Sequence, residues 1–338
     1  MLKNFCKDKC YIIAEIGGNF KTFEEGTALM DAAAECGVDA VKLQTFKAET
    51  VASRSATFDM ENTGVLSQYE FFKEYELSED VHQRIFAYAA AKGLDCFSTP
   101  SHPDDVDFLE RLGVSAHKIG SDDAVNLPFL RYVAQKKKTV LLATGMCTLE
   151  EVKESVSAML EEGNADIVIL HAVTAYPTHP EDANLLSIQT LMREFPGMAI
   201  GYSDHSLGVE ACTFAAVLGA KVVEKHFTLD KNAEGPDHMH SADPEEMKQL
   251  VDRIRLFEIM RGNGIKMPAA GEAITRVNNR KSLVFKCDKK TGERICSGDI
   301  VIKRPGFGIP PKELQSVLGR AINRDMKADD VLSWEDLQ

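Results

Sequence analysis

Long apolar runs are missing from this sequence. Stretches such as IVIL (167–170) fall far short of the roughly 20 residues that span a bilayer, so no membrane-spanning helix is expected. The start, MLKNFCKDKCYIIAEIGG, carries lysines, but its apolar stretch is short and stops at Glu15, so no cleaved signal peptide is expected. A basic surplus is also missing. Lys and Arg number 39 against 52 Asp and Glu, a net charge of −13. No basic stretch offsets this, which excludes nucleic acid and anionic membrane as partners. KKK at 136–138 reads as a solvated helix end, and a small anionic substrate stays open if lysines gather locally. Cysteine is sparse, with eight in 338 residues, too few for a disulfide scaffold. Cys6-x3-Cys10 has no second pair at zinc spacing and reads as two reduced thiols. Cys96 and Cys212 sit in apolar segments as buried thiols do, and a reducing cytoplasm is the expected compartment. Internal repeats and low-complexity segments are absent too.

What is present is an alternation of short β-rich apolar runs with amphipathic helical stretches. The strand candidates are YIIAEI (11–16), DAVKL (39–43), LDCFS (94–98), AHKIG (116–120), TVLLAT (139–144), DIVILH (166–171), MAIGYS (198–203) and AKVVEKH (220–226). Several of the intervening helices end in Gly just before a strand, as a left-handed cap predicts. Asp243 followed by Pro244 predicts the start of the last helix of the series. Eight such units predict a (β/α)8 TIM barrel over residues 1–262. The competing open doubly wound sheet is disfavoured because no Gly-x-Gly-x-x-Gly follows the first strand. Residues 46–77 are too long for a simple βα loop and predict a lid or extra hairpin over the site. A polar, Gly/Pro-bearing stretch, 263–281, suits a linker, and 282–338 reads as a small module of short strands.

The active site of such a barrel lies at the C-terminal strand ends, and period-two alternation selects the inward residues there. Glu15, Lys42, Gln44, Lys118, His171, Ser203, His205, Glu224 and His226 collect at that mouth. A lone Lys or His at a strand end is more often a satisfied structural residue. Convergence of several makes a purely structural account poor, because charged groups are rarely buried unless paired or bound. Lys42 and Lys118 are placed to hold a phosphate or carboxylate, with Ser98, Thr99 and Ser121 assisting. His205 and His226, on adjacent strands, are placed to share a divalent metal, with Glu15 and Glu224 orienting ligands or moving protons.

These residues sit in segments that resemble the sialic acid synthase family, which makes nonulosonic acids from phosphoenolpyruvate and a hexosamine-type aldose. The matching segments are IIAEIGGN (12–19), DAVKLQTF (39–46), FSTP (97–100), HKIGSDD (117–123), ATGM (143–146), YPTHPEDANL (176–185), GYSDHSLG (201–208), EKHFTLD (224–230), GPDH (235–238) and KRPGFG (303–308). They run in order along nearly the whole chain, and the C-terminal module resembles the family's antifreeze-like (SAF) domain. The resemblance implies metal ligation by His205 and His226, with Mn²⁺, Mg²⁺ or Co²⁺ as the ion. It implies phosphoenolpyruvate contacts from Lys42, Thr99, Lys118, Ser121 and Ser203, and sugar contacts from Gln44, Tyr176, Asp237 and Arg304. Glu15 and Glu224 match acids near the metal and the reacting carbons, while His238 and His240 read as loop residues at the rim. The chain departs from the sialic acid pattern at Phe20, Asp123, Ala143 and Thr174, positions expected near the substrate and so bearing on the sugar, not the reaction.

The implied activity is condensation of phosphoenolpyruvate with N-acetylmannosamine or a 2,4-diacetamido relative. The implied assembly is a homodimer with the C-terminal module over the partner's site. Two alternatives stand beside it. One is a related condensing barrel that uses a sugar phosphate. The other is a sugar- or ice-binding protein on a degenerate barrel, which would have no use for two anion-holding lysines and a metal pair.

Overall fold

The computed structural model describes all residues except 1, 3, 4, 7 and 61–63. It divides into two units, Met1–Gly262 and Asn263–Gln338. The first contains β1 (Tyr11–Glu15), β2 (Ala40–Thr45), β3 (Thr57–Met60), β4 (Gly64–Ser67), β5 (Asp95–Pro100), β6 (Ala116–Ile119), β7 (Thr139–Ala143), β8 (Ile167–Ala172), β9 (Ala199–Asp204) and β10 (Val222–His226). β3 and β4 form an antiparallel hairpin. The other eight close into a parallel barrel in the order β1-β2-β5-β6-β7-β8-β9-β10, with a helix after every strand. This is the TIM barrel that the alternation predicts.

The local signals account for the element boundaries. Thr22 caps the helix Phe23–Cys36 in a reciprocal pair with Glu25, and Gly37 ends it at φ 86°. Asp243 and Glu246 form the same box ahead of Pro244–Met260. The strands are continuous apolar runs because parallel barrel strands are buried on both faces. Outward residues such as Ile12, Ala14, Val41 and Leu43 pack against Leu29, Met30 and Ala33 of the helical ring. Inward residues Tyr11, Ile13, Ala40, Phe97, Ala116, Leu141, Val168 and Val222 fill the barrel centre.

One outward pair is charged. Lys225 Nζ lies 2.8 Å from Asp204 Oδ2, both fully buried, and ties β10 to the end of β9. Asp204→Ala leaves that ammonium uncompensated and is expected to cost about 3–5 kcal/mol, read as a lowered urea midpoint. An unchanged midpoint would refute the pairing as a structural tie. All eight cysteines are free, and no described helix is long and apolar enough to cross a membrane.

The second unit holds β11 (Ser282–Phe285) and β12 (Ile300–Lys303), paired antiparallel. Leu283, Phe285, Ile295, Ile309, Val317, Ile322 and Leu332 form its own small core. The stretch read as a linker contains a short helix, Ala273–Asn279.

Candidate active site

Alternation turns the barrel interior from apolar to charged within one step along each strand. Ile13 is followed inward by Glu15, Ala40 by Lys42, Phe97 by Thr99, Ala116 by Lys118, Gly201 by Ser203 and Val222 by Glu224. Register aligns these residues across the strands, pairing Glu15 with Lys42 and Glu224 with Ser203. The result is a charged layer lying on an apolar plug.

Its four ionisable groups are buried, with Glu15 at 0%, Glu224 at 2%, Lys118 at 3% and Lys42 at 4% exposure. Lys42 Nζ lies 3.0 Å from Glu15 Oε2 and 3.3 Å from Glu224 Oε1, and donates to Thr99 Oγ1 at 3.0 Å. Lys118 Nζ is 3.6 Å from Glu224 Oε1, which also accepts from Ser203 Oγ at 3.0 Å. Gln44 Nε2 donates to Glu15 Oε1 at 3.3 Å. Two cations and two anions cancel, which is what makes their shared desolvation tolerable.

The environment then separates the four. Burial acts to strip the charge from Lys42, but Glu15 and Glu224 outweigh it and hold its pKa above the ordinary lysine value. Lys118 has weaker support, and burial brings it down to about 8 against the pull of Glu224. Burial raises Glu15, opposed by Lys42. Burial also acts to raise Glu224, but Lys118 and Lys42 reverse the effect and hold it well below the usual range. Glu15 is therefore the carboxyl better suited to carry a proton, and Glu224 the fixed anion.

A second cluster stands beside this layer. His205 Nδ1 donates to the Val173 carbonyl at 2.7 Å, which leaves Nε2 as the lone-pair nitrogen. The rings of His205 and His226 are 5.4 Å apart, and Tyr176 packs 4.3 Å from His205. The loop after β10 returns Asp237 and His240 to the same place. Asp237 Oδ2 lies 3.3 Å from His226 Nδ1, and Oδ1 lies 3.7 Å from His240 Nε2. Donor atoms of His226, Asp237 and His240 all fall within 4.8 Å of one another. Gly18, at φ 77°, admits this loop, since a Cβ there would meet Asp237 Oδ2 at 2.9 Å. Burial, reinforced by His226, keeps His205 down at about 4 and His240 at about 3, so both are neutral imidazoles able to ligate. His226 Nδ1 is buried without a hydrogen-bond partner. Burial lowers His226 too, but Asp237 outweighs it and holds its pKa above the ordinary histidine value, so the cluster offers neutral His205 and His240 with His226 and a carboxylate, a donor set that suits a divalent metal ion.

A cavity of about 290 Å³ opens over both clusters. Its far wall is apolar, made by Phe46, Val51, Phe58, Phe71, Phe72 and Tyr75 from the segment read as a lid or hairpin. Phe58 packs edge-on against Phe71 and Phe72, which ties the β3–β4 hairpin to the helix Gln68–Tyr75.

A family model described as the NeuB family matches residues 29–266, and an SAF domain model matches residues 280–338. The chain belongs to the NeuB family of nonulosonic acid synthases. An N,N'-diacetyllegionaminic acid synthase of Legionella pneumophila is 40% identical over 338 residues, covering 97% of this chain and 95% of that one. A pseudaminic acid synthase of Campylobacter jejuni is 36% identical over 341 residues, covering 99% of each chain. Among solved structures, an N-acetylneuraminic acid synthetase of Leptospira borgpetersenii superposes with a TM-score of 0.73 at 29% identity, covering 81% of this chain and 94% of that one. The three relatives carry three different sugar names, so membership gives this synthase its reaction type and leaves its sugar open.

The structure gathers most of the residues anticipated for the synthase site. Lys42, Gln44, Thr99, Lys118, Ser121, Tyr176, Ser203, His205, Glu224, His226 and Asp237 line the cavity, and Glu15 lies beneath them. Arg304 lies in the second unit, directly after β12. Other expectations need correction. Ser98 was expected to assist anion binding, but its neighbours Phe97 and Thr99 face inward, so it faces outward and bonds Thr45 Oγ1 at 2.6 Å. Phe20 belongs to the core between barrel and helices, and Asp123 accepts from Asn126, so neither reaches the cavity, whereas Ala143 and Thr174 do. His171 sits at its strand end with Nε2 on the Ala183 carbonyl, outside the cluster. Neither His238 nor His240 is a rim residue: His238 is buried against Thr228 Oγ1 at 2.6 Å, and His240, only 1% exposed, is turned into the cluster. The aromatic lid wall was not anticipated residue by residue, though three phenylalanines at 58, 71 and 72 in a polar insertion were a visible signal.

Proposed function

We propose that this synthase condenses phosphoenolpyruvate with a non-phosphorylated N-acyl hexosamine-type aldose, N-acetylmannosamine or a 2,4-diacetamido relative, to give a nine-carbon acid and phosphate. The observation that carries this reading is the buried Lys42–Lys118 pair set between two glutamates beside an imidazole cluster. Lys42 and Lys118 hold the phosphate and carboxylate of phosphoenolpyruvate, with Thr99, Ser121 and Ser203 supplying hydroxyls. C3 of phosphoenolpyruvate attacks the aldehyde carbon; the new C–C bond forms as the C=O π bond opens to an alkoxide, which the proton released by the attacking water neutralises. Water adds at C2, and the C2–O bond to phosphate breaks as the ketone forms. Glu15 takes the proton from that water, while Glu224 stays ionised and fixes both lysines. His205 and His226 would hold a divalent ion (Mn²⁺, Mg²⁺ or Co²⁺), which would supply Lewis-acid polarisation of the aldehyde. Gln44, Tyr176 and Asp237 face the sugar.

Two features favour an N-acyl aldose over an aldose phosphate. The apolar lid wall offers contact to acyl methyl groups, and the only Lys or Arg side chains among the described cavity-lining residues are Lys42 and Lys118, already engaged by phosphoenolpyruvate. Phosphate release assayed with free and phosphorylated aldoses tests this directly. Turnover with aldose phosphates alone would overturn it.

The ionisation of Lys118 gives a pH signature. Its charge is present below about 8 and lost above, so kcat/KM for phosphoenolpyruvate, which reports the free enzyme, should fall as pH rises through that value. A profile flat from about pH 7 to 10 would contradict the assigned role.

We further propose a homodimer in which Arg304 of one chain reaches the sugar in the other. The support is the family resemblance and the position of Arg304 in a separate small unit. Mixing Arg304→Ala chains with Lys118→Ala chains should then restore part of the activity each lacks. Isolated heterodimers without recovery would remove the idea.

A further inference from the structure

His240 is the only histidine of the described residues with both ring nitrogens buried and neither hydrogen-bonded. The other buried or half-buried histidines show what a structural imidazole does in this molecule. His82 engages Thr45 and Ser78, His117 engages Glu110, His171 the Ala183 carbonyl, and His238 Thr228. Two others leave one ring nitrogen orphaned: His117, whose Nδ1 is unbonded while Nε2 engages Glu110, and His226, whose Nδ1 faces Asp237 and which is a ligand candidate on independent grounds. Unsatisfied buried polar nitrogen is unfavourable and rare, so a pair of such imidazoles facing one carboxylate calls for a shared partner.

We propose that His240 is a donor to the same divalent ion as His205 and His226. The rings of His226 and His240 are 4.9 Å apart in an edge-on arrangement, so their nitrogens converge without stacking. The backbone delivers His240 there through the single 3-10 turn His238–His240, pinned by Ser241 Oγ donating to the Asp237 carbonyl at 2.6 Å. Tyr176, 5.4 Å from His240 and 4.3 Å from His205, closes the cluster on one side. His205, His226 and His240, with ring centres 4.9 to 6.2 Å apart, would give three imidazole donors and leave positions for water and substrate oxygen, which suits Mn²⁺, Fe²⁺ or Co²⁺. This rests on the proposed metal dependence for its purpose, but binding is measurable without turnover.

The test uses the full-length protein stripped of metal and titrated with Mn²⁺, for the wild type, His240→Ala, His240→Gln and His238→Ala. His240→Ala should weaken Mn²⁺ binding by at least about tenfold, while His238→Ala stays within about twofold of the wild type. Pulsed EPR of the loaded proteins should lose one imidazole nitrogen coupling in His240→Ala. The metal-induced rise in Tm should shrink in step, with the metal-free Tm unchanged. If His240→Ala does not fold, His240→Gln carries the same readouts. Unchanged affinity together with an unchanged nitrogen count would overturn the assignment. Metal-dependent condensation in those same variants would show that the failure belongs to His240 and not to the reaction.

Discussion

In His226→Ala, kcat should fall by about three to four orders of magnitude, with the barrel still folded. His226 stands at the end of β10 where the charged layer meets the imidazole cluster, and its register partner across β1 is Glu15. Loss of its ring removes a donor from the cluster and also the group against Asp237 Oδ2. Polarisation of the aldehyde is the step that most needs a fixed positive centre, so the loss falls on kcat more than on KM for phosphoenolpyruvate. EDTA treatment should reproduce the effect in the wild type without unfolding, and Mn²⁺ or Mg²⁺ should reverse it. Full activity after rigorous metal removal, or a His226→Ala variant altered only in KM, would contradict the role.

Lys42→Met should lower kcat/KM for phosphoenolpyruvate by about a thousandfold, as expected for loss of one partner of a buried charge-assisted contact. The side chain length is kept while the ammonium is removed. Two buried carboxylates, Glu15 and Glu224, then face each other without the cation that lay 3.0 and 3.3 Å from them. Like charges so placed cannot both stay ionised, so one takes up a proton at neutral pH. Stability should fall by about 3–5 kcal/mol as well, measured by urea unfolding. A stable Lys42→Met protein with ordinary phosphoenolpyruvate kinetics would remove Lys42 from the site.

The barrel and its charged layer were readable because strand alternation has a fixed period. Once Ile13 is inside, Glu15 is too, and the same step carries Ala116 to Lys118 and Val222 to Glu224. Ser98 shows the rule applied loosely. Grouped with Thr99 as a polar pair, it was assigned to the site, although adjacent strand residues face opposite sides. The loop after β10 has no period at all. GPDHMH names its residues but not the 3-10 turn that buries His240 and leaves His238 bonded to Thr228. The lid was predictable as an irregular insertion, but which of its aromatics line the cavity depends on hairpin register and on ring packing such as Phe46 against Phe72. Phe20 was placed near substrate by motif position, whereas its neighbours Gly26 and Ile85 draw it into the core.

The central claim is the condensation itself, and the most direct measurement is mass spectrometry of products formed from phosphoenolpyruvate labelled with ¹⁸O at the C2–O–P bridge. The co-substrates are a panel of 2-acetamido and 2,4-diacetamido aldoses. The predicted result is a nine-carbon acid from at least one free aldose, with the label in inorganic phosphate and a solvent oxygen at C2. Retention of the label in the acid, or products from aldose phosphates alone, would contradict it.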